Sequence, residues 1–498
     1  MTSSPWRGPG LGTVTTFLAA WNSLAVLVFL GPRLRASAAA LVGIAAAFDV
    51  AAAAAVGAGT VWSRRVGSRA ALASGSAVFA LASAGCALVS EPLLLVVARA
   101  VQGIAAALMV AAAFEALSGP PEPIESGGGG GFQTGGVGAA LVCGPLLAGA
   151  AATVHGSRWV FWGDAIAGAA VCVVVLVRGC RAVSPASRPG PVSVPASATD
   201  GDDCASTDRA RQPRDLFDLP GLALITVAVA GPVAALDEAA SAGWGNIRTL
   251  ALMAAGLVAL VPILVWQTPL GALYGRAFVA AQVADLCLFA ATAGTLFLLV
   301  QYLHVVAGSG PLGVGLRIVP WSAAVAVVLP VSVSASADVG ARGMRRLIAG
   351  GLALDAIGLL GLATAVRGRQ TGWWLALSLV VSGAGVGLAM PAARRAAVTV
   401  AGLRQPEGIV GGLGAVRWAG AGLGIALIGA VLVARGGFGP VASGSASASV
   451  SASADRGAAP AVATAALLAA AGAAAALTLP ARDRPPTAPV FSRPHPGA

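Results

Sequence analysis

Long apolar stretches alternate with short polar breaks along almost the whole chain. The first six run at about 13–31, 38–60, 70–89, 92–115, 132–153 and 159–178. Two follow at about 217–236 and 248–266, and the last six at about 277–301, 313–333, 347–366, 372–393, 408–434 and 460–480. Each is close to the roughly 20 residues that a helix needs to cross the hydrocarbon core of a bilayer. The pattern predicts an all-α integral membrane protein with about 14 transmembrane helices arranged as 6+2+6. An N-terminal six-helix half would span 1–178 and a C-terminal six-helix half 267–480, with two extra helices at 217–266 between them. The stretch 179–216 is rich in Pro, Ser, Asp and Arg and reads as a disordered cytoplasmic linker, and 481–498 reads as a loose Pro-rich tail. The low-complexity run Ser443 to Ala454 reads as a flexible spacer before the last helix.

Composition supports the bilayer as solvent. The chain is 57% hydrophobic and 10% charged, with mean hydropathy +0.84, where a soluble domain carries about 25% charged residues. All 31 basic residues are Arg, which together with the abundance of Ala and Gly fits a GC-rich bacterial genome. The net charge of +11 reads as loop charge beside an anionic membrane. No basic run interleaved with aromatics suggests nucleic acid. With a cytoplasmic N-terminus, 20 of the 31 Arg fall on inner loops and termini and 8 on outer loops. The positive-inside rule therefore predicts a plasma-membrane protein with both termini in the cytoplasm. The N-terminal apolar run reads as the first span, since it lacks a small-residue cleavage site. The six Cys form no CxxC pair, so neither a disulfide nor a zinc site is expected. There is no interfacial cluster of His, Asp or Cys and no Walker-type loop. The chain is thus read as a non-enzyme without a cofactor, and a monomer by default.

Charges inside apolar runs carry the functional signal. An ionised side chain at mid-bilayer costs roughly 2.5–3.5 kcal/mol on insertion scales and is by default a functional candidate. Arg99 lies in the fourth run with Gln102 one turn later. Its bland reading is a structural Arg bonded to backbone carbonyls. Desolvation favours the neutral form of a buried carboxylate, which lets it carry a proton. Asp49 and Asp285 are the preferred carriers. Asp355 ranks lower, as a residue of a helix facing lipid or the flank of the bundle, and Asp164 reads as interfacial or hydrogen-bonded. Arg317 and Arg417 also fall within spans, and Arg317 is a candidate partner for Asp285 across adjacent helices. Glu115 reads as interfacial and His304 as solvated at an outer mouth. Trp21, Asn22, Trp321 and Trp418 are candidates for a substrate cavity, with interfacial anchoring the alternative for the tryptophans.

Two inner loops echo one another. Val66-Gly67-Ser68-Arg69, with Arg64 and Arg65 before it, follows the second run. Val339-Gly340-Ala341-Arg342, with Asp338 before it, follows the second run of the last six. Both are candidate gating loops, and repeated halves are typical of secondary transporters. In the fifth run, Gly144-Pro145 followed by Gly149 predicts a bend with close helix approach. The glycines from Gly411 to Gly424 predict a close-packing surface on the thirteenth.

These residues resemble the 14-helix drug:proton antiporter subfamily of the major facilitator superfamily. Arg99, Gln102 and Gly103 match its R-x-x-Q-G signature. Gly144, Pro145 and Gly149 match its antiporter motif G-P-x-x-G-G, with Ala148 in place of one glycine. Ser157 to Ile166 resembles its W-R-W-x-F-x-x-N-x-P, with Asp164 in place of Asn. Phe217-Asp218-Leu219-Pro220-Gly221, Gly243-Trp244-Gly245, Gln301-Tyr302-Leu303-His304 and Ser309-Gly310-Pro311-Leu312 follow in the family's order. The resemblance implies the major facilitator fold and alternating access. It also implies efflux of hydrophobic or cationic small molecules, antibiotics among them, against a proton influx, with a bend at Gly144-Pro145 that favours export. Two departures stand out. Trp21-Asn22-Ser23 replaces the family's early Asp, and Ser63 or Arg64 stands where its first inner loop has one. They keep open a metabolite transporter with altered or no proton coupling, and a non-transporting relative.

Overall fold

A computed structural model describes residues 15, 34, 38–117, 128–181, 219–243, 245–266, 275–401, 406–435 and 447–479. The first predicted span apart from residue 15, with Trp21 and Asn22 in it, lies outside the described residues, as do 182–216 of the linker and the 481–498 tail. Thirteen helices run through the rest. They are α1 (Ala38–Val66), α2 (Ser68–Leu88), α3 (Pro92–Leu117), α4 (Gly128–His155), α5 (Arg158–Arg181), α6 (Leu219–Ala242) and α7 (Ile247–Trp266), then α8 (Gly275–Val305), α9 (Pro311–Asp338), α10 (Ala341–Arg367), α11 (Trp373–Ala401), α12 (Pro406–Ala434) and α13 (Ser447–Leu477). Among the described residues eleven helices are long and apolar enough to cross a membrane. A helix closes its backbone hydrogen bonds within one segment, which is why Ala-, Leu- and Val-rich runs take this form in lipid. The chain is therefore all-α and membrane-spanning.

Two sequence readings change at helix ends. α1 continues through Arg64 and Arg65 to Val66, so these arginines form the last turn of a helix and not a loop. The Ser443–Ala454 run is helical from Ser447 onward, because alternating Ser and Ala sustain a helix that joins the final apolar run.

The echo between halves recurs in structure as a pair of N-caps. Gly67 and Gly340 each stand at the N-cap of the following helix. Their carbonyls accept from Ala71 and Met344, each at 3.0 Å. The two differ in conformation. Gly67 has φ 85°, which favours glycine, and Gly340 has φ −73°. Gly67→Ala is therefore expected to destabilise by about 1–3 kcal/mol, while Gly340→Ala changes stability by no more than about 1 kcal/mol. Thermal melting of the purified variants checks this; equal shifts would refute it.

The helices form two sets that meet along two seams. α4 packs on α9, and α1 packs on α12. Small residues bring the backbones together, as in membrane helix pairs generally. At the first seam, a Cβ at Gly149 would stand 2.7 Å from the Pro311 carbonyl oxygen, and one at Gly315 would strike that of Pro145. At the second, Gly414, Gly422 and Gly429 face Val56, Val50 and Val42. The other side of α12 uses Gly420 and Gly424 against Leu286 and Ala290 of α8. α6 leans on both α1 and α12, and α7 packs on α6.

Candidate functional site

Arg99 sits seven residues after the start of α3 and is 2% exposed. Its Nη1 donates to Gln102 Oε1 at 2.6 Å, and Gln102 Nε2 donates to Ser83 Oγ of α2 at 2.8 Å. Ser83 in turn donates to the Phe79 carbonyl at 2.7 Å. The guanidinium lies over the Phe48 ring of α1, 4.6 Å from its centroid. Side chains and an aromatic face therefore hold Arg99, and its Nε has no hydrogen-bond partner. Gly103 makes this arrangement possible. A Cβ there would run into the Phe48 carbonyl oxygen, so only glycine lets α1 settle on α3.

Two carboxylates lie within electrostatic reach of Arg99, Asp49 and Asp164. Asp49, beside Phe48, is 7% exposed and makes no hydrogen bond or ion pair among the described residues. Its Cβ faces Gly422 of α12 at the seam. Asp164 is 1% exposed. The first turns of α5 pack on α2 and turn it inward, toward Cys86 and Arg99. Its place beside Arg99 was the feature hardest to foresee; the only signal was a carboxylate where the resembling motif has Asn.

The second set of halves carries its own charges. Asp285 of α8 pairs with Arg417 of α12, Oδ2 to Nε at 2.7 Å, and Arg417 Nη2 also donates to the Met390 carbonyl of α11 at 3.1 Å. This corrects the expected Asp285–Arg317 pair. Asp285 lies ten residues from the start of α8, whereas Arg317 lies six residues from the start of the antiparallel α9. At 1.5 Å per residue the two stand about 20 Å apart along the helices. Arg317 instead donates to Ser309 Oγ just before its helix. His304 is part-buried and contacts the Ser309 carbonyl through Nδ1 at 3.1 Å, so it is not simply solvated. Arg394 of α11 lies within electrostatic reach of both Asp285 and Arg417.

An aromatic contact joins the two sets. Phe48 of α1 meets Trp418 of α12 edge to face, with centroids 5.4 Å apart. Arg417 lies 5.1 Å from the Phe289 centroid. Trp418 thus belongs to the seam, and Trp321, 4% exposed, to the core of the second set. Asp355 is also repositioned. It is 1% exposed between α10 and α11, accepting from Ser382 Oγ at 2.6 Å, because Gly358 and Gly385 let the two helices close around it. The side chain of Glu115 lies outside the described residues. Among the gating candidates, Arg69, Asp338 and Arg342 are exposed at the helix ends flanking Gly67 and Gly340. Pro145 lies inside α4 and lacks the N–H that would bond the Leu141 carbonyl. Its motif faces α9 across the seam.

Comparison with known proteins gives a consistent picture. The sequence profile of the Major Facilitator Superfamily matches residues 10–424. The multidrug resistance protein Stp of Mycobacterium tuberculosis is 28% identical over 369 residues, 72% of this chain and 63% of Stp, so the match spans less than two thirds of that relative. The tetracenomycin C resistance and export protein of Streptomyces glaucescens is 27% identical over 75% of this chain and 65% of its own. In structure, the chain is similar to a bacterial homologue of the human lysosomal transporter Spinster, in an inward-facing conformation. The TM-score is 0.63 at 14% identity, covering 95% of this chain and 97% of that one.

Proposed function

We infer that this chain, which belongs to the Major Facilitator Superfamily, exports hydrophobic small molecules of the antibiotic kind in exchange for protons. Export is supported by the resistance and export relatives and by the Gly144-Pro145-Gly149 motif at the α4–α9 seam. The observation that carries proton coupling is the state of the two preferred carboxylates. Asp285 is held by Arg417, while Asp49 is buried at the α1–α12 seam without a hydrogen bond among the described residues. Asp49 is thus the group able to change protonation as the halves rock, and Arg99 supplies the charge that draws it back when the proton leaves. Phe48 and Gln102 hold Arg99 in place for that exchange. The protein works as a monomer in the plasma membrane with both termini in the cytoplasm.

The missing acid before Gly67 favours a second reading, facilitated transport of a metabolite without proton coupling. One experiment separates the two. Proteoliposomes carrying a pH-sensitive dye are given a panel of aromatic antibiotics across an imposed pH gradient. The expected result is a substrate-dependent change in internal pH. Substrate movement with no such change would overturn the antiport reading.

A further inference from the structure

The Asp285–Arg417 pair is unequal in a way that speaks to the substrate. Asp285 is 1% exposed and Arg417 17%. Asp285 occupies Nε at 2.7 Å and Nη2 at 3.4 Å, and Met390 takes Nη2 as well. Nη1 has no hydrogen-bond partner among the described residues. An open guanidinium edge therefore stands beside Phe289 of α8. The same face of α8 carries Gln282, Asp285, Phe289 and Thr292 at helical spacings of three and four residues. Gln282 Oε1 and Thr292 Oγ1 are buried and make no hydrogen bond. Such orphaned atoms are rare in native proteins and call for a partner.

From this arrangement, which rests on the transport reading of the seam, we propose that α8, α11 and α12 form a subsite for a planar aromatic acid. The acid group, a carboxylate, sulfonate or phenolate, takes the open edge of Arg417. The ring system lies against Phe289, and ring hydroxyls reach Gln282 and Thr292. For a cationic substrate the matching groups among the described mid-span residues are carboxylates, and all of them are buried. The mid-span carboxylates Asp49, Asp164, Asp285 and Asp355 are 7, 1, 1 and 1% exposed, so an arriving ligand meets the guanidinium first. Asp285 acts as a built-in competitor for Arg417, weakening the hold on the acid so that it can be released.

The competition gives the test opposed signs. Binding of 2-naphthoate and of tetraphenylphosphonium is measured on the purified full chain in lipid nanodiscs, for wild type, Asp285→Asn, Arg417→Gln and Arg417→Lys. Asp285→Asn frees Arg417 and is expected to bind naphthoate at least tenfold tighter. Arg417→Gln is expected to lose naphthoate binding, and Arg417→Lys to keep part of it. A structural ion pair predicts a loss in both Asp285→Asn and Arg417→Gln, and that result overturns the proposal. So does tighter tetraphenylphosphonium binding in Arg417→Gln, which would mark Asp285 as a cation site. If Arg417→Gln does not fold, Asp285→Asn decides alone, a rise in naphthoate affinity supporting the subsite and a fall or no change refuting it. Naphthoate binding indifferent to all variants, with substrate-linked proton movement intact, would sink the subsite and leave antiport standing. Opposed shifts without proton movement would do the reverse.

Discussion

Asp49→Asn is expected to abolish substrate-driven proton movement, by at least about 100-fold, in a protein that still folds and still exchanges substrate down its gradient. Asparagine keeps the shape of the side chain and removes its proton site. Asp49 makes no hydrogen bond among the described residues, so the amide breaks none. Asp49 has no hydrogen-bond partner to lose, and an isolated buried carboxylate is costly to keep, so stability is expected to stay equal or rise. The contrast is Asp355→Asn, whose side chain accepts from Ser382 at 2.6 Å between α10 and α11, away from the seam. That variant is expected to lose stability and keep its proton movement. Both are read in proteoliposomes with an internal pH dye, and thermal melting tracks the folded state. Wild-type proton movement in Asp49→Asn would remove Asp49 as the carrier and return the question to Asp164, the other carboxylate near Arg99.

Most of the fold was legible because the bilayer imposes a single rule. A run of about 20 apolar residues becomes a helix whatever its neighbours do, and the runs from Ala38 onward became helices close to their predicted places. Helix ends were less legible, since polar residues that stop a span need not stop a helix. Arg64 and Arg65 continue α1, and Ser447 onward extends α13. Charges inside spans were easy to find and hard to pair. Sequence order suggested Arg317 for Asp285 because their helices are consecutive. Depth decides the matter instead, and the partner came from α12, 132 residues away. Burial misled in the same way for Asp355, whose helix was expected to face outward. Its inward turn depends on Gly358 and Gly385, glycines whose role is visible only when both helices are placed. The N-cap echo of Gly67 and Gly340 was legible because a repeated half repeats its chain breaks as well as its helices.

Gly103→Val is expected to leave a chain that inserts but neither melts at the wild-type temperature nor transports. A Cβ at position 103 meets the backbone oxygen of Phe48, which unlike a side chain has no rotamer to escape into. α1 and α3 must separate, and overpacking of this kind typically destabilises by about 1–3 kcal/mol, with valine at the upper end. The functional loss exceeds the loss of stability, because the same displacement lifts Phe48 off Arg99, a contact of about 0.5–2 kcal/mol. It also loosens Phe48 from Trp418 across the seam. Gly57, on the same α1, has no atom within 4 Å of where its Cβ would stand. Gly57→Ala is therefore expected to be neutral or to stabilise by up to about 1 kcal/mol through helix propensity. Melting in detergent and efflux from cells lacking their own pumps measure both. Full efflux by Gly103→Val would mean that the closeness of α1 to α3 is not what positions Arg99. Loss in Gly103→Val beside a neutral Gly57→Ala ties the glycine of R-x-x-Q-G to its arginine, since the small residue sets the distance at which α1 can hold the charge against the seam.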